Sequence, residues 1–536
     1  MSHYKAHESC TKKKHMKKAK TTAGKISILG SIAESFTSRI SKSRAARKPT
    51  AKAAAKPAKA AASNRAATAK LNSNTTRIDQ LKATPFLPVS EPLFRPSCAP
   101  TRESNILTID VRIAALLSVF IISPLSAAEA QISGGATVNA DATQPASWLE
   151  RDTLTGDWAG HRTWLKEHGI TLAPRLTQFY QGLAAGDGDR DFEYGGKADL
   201  MLNADLSKLG FWNGFSLTVH GEYNYGESIN GAGGPLVPVN TALVFPGMDG
   251  ADASDLSSVY FQQLFSDSVS LLVGKMNMMD LAARTPFKGG AGIDSFWNLT
   301  FVAPPSGLVP PYLFGALMTV RTEPAIFGLW VYDPASVINK TGFEDPFDNG
   351  TTIRGSVDFP VTIGGLSGHQ GFVALYSTES NADLNDIGDT FLPPFPPDYP
   401  DIKDDNYYFA YSFDQYLYRV SEKSKEGIGL FGQFGISDGN PSRLYWSALV
   451  GIGGTGLIPG RSRDNWGIGY YYDTPSPDLK DSLSPLLTIR DEQGVEIFYN
   501  FAVTPWLTVG VDLQVIDPSL GKDTAILPGL RCVTRF

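Results

Sequence analysis

The sequence predicts an all-β protein: a transmembrane antiparallel β-barrel of about 16 strands, with a short N-terminal periplasmic helix and a disordered N-terminal extension. Three observations carry this. Runs of about ten residues alternate apolar and polar side chains, the length a tilted strand needs to cross a bilayer. The runs recur through the body of the chain. Short and long links alternate between them, as periplasmic turns and outer loops do. The run 197–207 sets the pattern, with Lys197, Asp199, Met201 and Asn203 opposed to Ala198, Leu200, Leu202 and Ala204. The run 215–225 answers it, with Leu217, Val219 and Tyr223 opposed to Thr218, His220 and Glu222. Successive side chains of a strand point to opposite faces, so each run has one oily and one wet face.

Charge divides the 536 residues into two parts. Residues 1–100 hold 21 Lys and Arg against 4 Asp and Glu, leaving 27 basic and 50 acidic residues for 101–536. The basic head, 1–105, is rich in Lys, Ala, Ser and Thr and cannot bury enough apolar surface to offset chain entropy. A nucleic-acid-binding tail and a transit peptide are weighed against a mere extension or misassigned start. The last is preferred, and no nucleic-acid partner is expected. Residues 106–130 read as a signal peptide, with an apolar core from Ile113 to Ile122 and Ala128-Glu129-Ala130 as cleavage site. Residues 131–169 are a linker and helix, with Asp157 as N-cap, Gly169 as stop, and Trp158, His161 and Leu165 on one face. The barrel occupies 170–536.

Its strands are expected near 170–182, 197–207, 215–225, 256–265, 268–277, 312–322, 325–332 and 351–359. They continue near 370–378, 405–419, 427–436, 443–453, 465–473, 494–502, 507–516 and 525–536. The links 360–369 and 454–464 look long for periplasmic turns. A barrel of this size encloses water rather than a packed interior.

Motifs of chemistry are few. Cys10, Cys98 and Cys532 have no zinc or disulfide spacing, and no G-x-S-x-G, H-E-x-x-H or C-x-x-C occurs. His161 and His168 share a face without a third ligand. Gly451-Ile452-Gly453-Gly454-Thr455-Gly456 spells a dinucleotide motif but lacks a following helix, and reads as strand end and turn. Asp187-Gly188-Asp189-Arg190-Asp191 starts like a calcium loop, yet Phe192 holds the glycine position. No enzyme activity, metal or cofactor is expected. Pore-lining and substrate-binding side chains are expected at Asp199, Glu222, Lys275, Arg354 and Glu496 on inward faces. Asp294 and Trp297 join them from the long link 278–311, which also carries Asp280, Arg284 and Lys288. Carboxylates accept from sugar hydroxyls, cationic groups donate, and ring faces cover apolar sugar faces.

Leu154-Thr155-Gly156-Asp157-Trp158-Ala159-Gly160, with Arg162 and Gly169-Ile170, resembles the carbohydrate-selective porins of the OprB type, which usually have a second glycine where Ala159 stands. Val273-Gly274-Lys275 is similar, although the family more often has arginine at the last position. So are Pro459-Gly460-Arg461 leading into Trp466-Gly467-Ile468-Gly469-Tyr470-Tyr471, and the terminal Phe536. The resemblance covers 148–536. It implies an outer-membrane porin of a Gram-negative bacterium, giving passive, selective diffusion of small sugars through an arginine-lined constriction. It also implies contact with outer-membrane lipids and lipopolysaccharide, and recognition of Phe536 by the barrel-assembly machinery. The rival readings are a general or other-solute porin, and an adhesin or structural barrel with a plugged lumen. Homo-oligomerisation is left open.

Overall fold

The computed structural model describes residues 147–536 apart from 248–252, 283–286, 304–305, 392–399, 422–423, 457 and 485. The expected extension and signal peptide, and Arg284, lie outside the described residues. Sixteen strands close into one antiparallel barrel. They are β1 Ile170–Gly182, β2 Phe192–Asp205, β3 Phe215–Gly226, β4 Ala253–Leu264, β5 Val269–Asn277, β6 Tyr312–Arg321, β7 Ile326–Tyr332 and β8 Thr352–Ile363. The second half is β9 Leu366–Ser377, β10 Asn406–Arg419, β11 Gly427–Ser437, β12 Leu444–Thr455, β13 Asn465–Pro475, β14 Glu492–Ala502, β15 Leu507–Asp517 and β16 Ala525–Arg535. Each strand pairs with its neighbours in sequence, and β1 meets β16 to close the ring, Arg175 facing Arg535 and Tyr180 facing Leu530. Closure leaves no edge strand whose backbone polar groups would meet hydrocarbon.

Alternation sets the register. Across β14 and β15, Ile497 pairs with Leu513 outside and Glu496 with Gln514 inside. Ile497, Val511, Leu513 and Val515 are exposed, whereas Glu496, Asp512 and Gln514 are buried. A slip of one residue would turn these carboxylates outward into lipid. Aromatic side chains gather at both rims. Trp212 stacks on Phe215 at 4.5 Å and Phe215 on Phe261 at 5.4 Å at the rim that carries the termini. Tyr180, Phe192, Tyr194 and Tyr223 ring the far rim.

The 360–369 link is shorter than expected. β8 runs on through Pro360 and β9 starts at Leu366, so Gly364 and Gly365 alone make the turn, with φ 61° and 81°. Both central residues left-handed is the two-residue hairpin geometry that glycine permits. The proline and the glycines had masked the period of two.

At the near rim a short helix, α1 (His161–Glu167), docks beside the seam. Arg162 donates to a main-chain oxygen of Phe536 at 3.0 Å, the Leu154 amide to Arg535 O at 3.0 Å, and the Trp506 indole to Trp148 O at 2.9 Å. Two expectations are corrected here. α1 starts at His161, and the residue before it is Gly160 at φ 92°; Asp157 serves from further upstream, accepting from the Thr163 amide and hydroxyl at 2.9 Å each. Trp158 is buried and His161 exposed, so the two do not share the one helical face expected. The cause is local: Trp158 and Ala159 are left-handed, at φ 52° and 55°, which breaks the helical phase before α1 begins. A glycine would hold the Ala159 position without strain.

Candidate constriction

The described residues of two connections fold back into the barrel, 227–247 after β3 and those of 278–311 between β5 and β6. The second is held by aromatic packing. Its Phe287, Phe296 and Phe301 bury with Tyr416 of β10, Phe431 of β11, Leu449 of β12, Tyr471 of β13 and Phe498 of β14. Phe296 stacks on Phe301 at 4.6 Å and meets Phe498 edge-on at 4.7 Å. Wall glycines make the room. A Cβ at Gly467 would lie 2.7 Å from the Phe296 ring, and one at Gly529 2.6 Å from the Trp297 ring. Inside the loop, helical turns α2 (Met278–Leu281) and α3 (Leu299–Val302) are capped by Asn277 and Asn298, whose side chains accept from the Met279 and Thr300 amides. Gly451, Gly453 and Gly454 belong to β12 and Gly456 to the turn after it, at φ 74°.

The expected site residues fall into three places. On β2 and β3, Asp199 and Glu222 are brought together with Lys197 and His220, all buried. Arg175 Nε donates to Asp199 at 3.1 Å, and His220 stands between Asp199 at 3.2 Å and Asp280 of α2 at 2.7 Å. Lys197 pairs with Glu222, which also accepts from Tyr312 Oη and, at 3.2 Å, from Asn277 Nδ2. Ligand atoms of Asp199, His220 and Glu222 lie within 4.8 Å of one another, a spacing a metal could use. Arg175 and Lys197 already answer the carboxylates, so a divalent ion there would sit beside two fixed cations. Lys275 of β5 lies nearby, bidentate to Asp255 at 2.9 Å and donating to Lys340 O at 2.9 Å.

Further round the barrel, Glu496 of β14 accepts the backbone amides of Trp297 and Asn298. Trp297 is fully buried, its ring edge-on to Phe179 at 5.1 Å. Asp294, with about a third of its side chain exposed, accepts from Arg535 at 2.9 Å and lies 3.9 Å from Arg175.

Arg354 of β8 stands apart from both groups. Its guanidinium covers the Trp330 ring of β7 at 3.9 Å and donates to Ser356 at 3.1 Å. Six residue pairs further down the same wall, toward the rim that carries the termini, His369 Nδ1 lies 3.1 Å from Asp414 of β10, with 45% of the imidazole exposed. Lys288 of the infolded loop faces this wall; burial pulls its ammonium down to about 8, opposed by the nearby Asp414. Trp330, His369 and Asp414 were missed by sequence reasoning. β7 has seven residues, too few to declare a face, and His369 lay in the stretch read as a link.

The other motifs have structural duties. Asp187 accepts from the Asp523 amide at 3.4 Å and from that of Lys522, tying the β1–β2 loop to the β15–β16 loop. His168 stacks on Trp164 at 4.1 Å and bonds its carbonyl, away from His161.

The family model described as carbohydrate-selective porin, OprB family, matches residues 189–536. The Acinetobacter baylyi protein named as porin QuiX is 23% identical over 441 residues, covering 72% of this chain and 94% of that protein. The fold is similar to the high-pH structure of Pseudomonas putida OprB, with a TM-score of 0.63 at 20% identity, covering 73% of this chain and 100% of that one.

Proposed function

Because this chain belongs to the OprB family of carbohydrate-selective porins, we propose that sugars cross it along the inner wall at β7 and β8, beside the infolded loops. The protein is an outer-membrane channel of a Gram-negative bacterium that passes carbohydrates by passive diffusion. The observation that carries the finer reading is the Arg354–Trp330 pair, an aromatic plane with a cation over it on the inner wall at β7 and β8. Ring faces cover the apolar side of a pyranose, and a guanidinium donates to its hydroxyls. Asp294 and Arg354 are half-buried and are assigned to the solute path; the buried Asp199, Glu222, Lys275, Trp297 and Glu496 support the loops and wall around it. Passage involves no bond making or breaking, and grip is weak, since a tight site would block release. Lipopolysaccharide and lipid surround the exposed apolar band, and the assembly machinery reads Phe536. Association with further copies of the chain is compatible with this path.

Planar-bilayer recording tests the reading: added glucose or maltose should reduce single-channel current in a saturable way. Current indifferent to every sugar would make this a general pore, and no current at all would make it a plugged barrel.

A pH effect should accompany passage. A lysine is charged below its pKa, so raising pH through about 8 neutralises Lys288 and removes a positive charge facing the wall. The reversal potential across a KCl gradient should then shift toward cations. Lys288→Met should show the shifted value at every pH; a wild-type potential flat from neutral to alkaline pH would exclude Lys288 from the path.

A further inference from the structure

Resting on that channel reading, we infer that the width and sugar preference of the pore are set from behind the loops by a clasp of three wall side chains that meet no solute: Glu496, Gln514 and Arg531. They stand on adjacent strands β14, β15 and β16, and all three are buried to within 1% of full cover. Each holds main chain or a cap of an infolded loop. Glu496 accepts the amides of Trp297 and Asn298, the two residues that lead into α3. Gln514 donates to Val239 O of the other loop at 2.8 Å and accepts from Asn298, the α3 cap, at 3.3 Å. Arg531 donates to Gly292 O at 2.8 Å and Ser295 O at 2.9 Å, and lies 4.9 Å from the centre of the Trp297 ring.

The two loops are also joined to each other where the clasp holds them. Thr241 donates to Trp297 O at 2.8 Å through its amide and 2.7 Å through its hydroxyl, and the Leu299 amide reaches Pro238 O at 3.0 Å. Residues 237–244 and 292–302 thus form one body fixed to three strands. Backbone groups buried without partners are costly, so the clasp answers amides and carbonyls that no sheet or helix satisfies. The wall residues act by positioning: they fix where Asp294, within the clasped segment, stands in the channel without touching the solute. A loop that drifts by an ångström loses the spacing a sugar must bridge.

The experiment uses the full chain refolded or extracted as a barrel, comparing Glu496→Gln, Arg531→Met and Gln514→Met with wild type. Heat-modifiable migration on gels confirms that each barrel is closed. Single-channel conductance in salt and the concentration of maltose that halves the current are then read. The expected result is closed barrels with larger or fluctuating conductance and a sugar block about tenfold weaker, the factor that loss of one charge-assisted hydrogen bond gives. Combining two substitutions should add little, because both release the same body. Closed barrels with wild-type conductance and wild-type block overturn the clasp. Should the charged substitutions prevent closure, Gln514→Met decides, since it conserves volume and buries no lone charge. A wild-type current indifferent to maltose would fail the sugar reading alone; conductance in salt still scores the clasp.

Discussion

Valine at Gly467 or Gly529 should push the 278–311 loop off the barrel wall and change the channel more than loss of any single exposed charge. At Gly467 the first added carbon would sit 2.7 Å from both the Phe296 and Phe498 rings, and at Gly529 2.6 Å from Trp297. These rings are at most 2% exposed and wedged among other aromatics, so none can swing aside alone. Overpacking of a tight core costs ~1–3 kcal/mol. The barrel ladder is closed and two-sided, so the loop is the part that yields. Thermal unfolding followed by gel migration should show a barrel that still closes, while bilayer recordings show altered conductance and weakened sugar block. A valine at either site with unchanged conductance would mean the rings do not depend on the glycines. Valine at Gly355, where a Cβ meets nothing within 4 Å, is the control and should leave conductance and block as they are.

Removing either half of the Arg354–Trp330 pair should abolish most of the sugar block. Trp330→Ala takes away the ring plane, and with it the surface that holds the guanidinium at 3.9 Å. Arg354→Ala removes charge-assisted hydrogen bonds, each ~1.5–3 kcal/mol when made to a charged group. Either change should therefore weaken block by a factor on the order of ten to a hundred. The double variant should lose little more than the worse single one, because each group acts through the other. Arg354→Lys should restore little: an ammonium cannot stack and fork at once. Salt conductance of these variants should stay near wild type, which separates lost grip from a displaced loop. Full block in Trp330→Ala would move the sugar path to another wall.

Removing Glu222, which sequence reasoning would place in the path, is a different experiment. It would leave Lys197 buried without its carboxylate, and Tyr312 and Asn277 without their acceptor. Its outcome would report on barrel stability.

The architecture was legible because a membrane barrel writes its rule locally. A strand between oil and water must alternate, and a one-residue error exposes a charge to lipid, so all sixteen strands could be placed from the run of residues alone. Legibility failed where local chemistry hid the period: at Pro360 with its glycine turn, at seven-residue β7, and at left-handed Trp158 and Ala159.

The sequence by itself determined the barrel, its strand number and the inward or outward sense of the side chains on its clearly alternating strands. Only the tertiary structure decided which inward charges meet water. Asp199 and Arg354 are both inward by parity, yet Asp199 lies beneath Asp280 of a folded-back loop while Arg354 rests on Trp330 on the wall at β7 and β8. Parity follows from neighbouring residues along one strand. Cover by a loop follows from contacts between segments far apart in the chain, such as Glu496 with Trp297, and these carry no period to read.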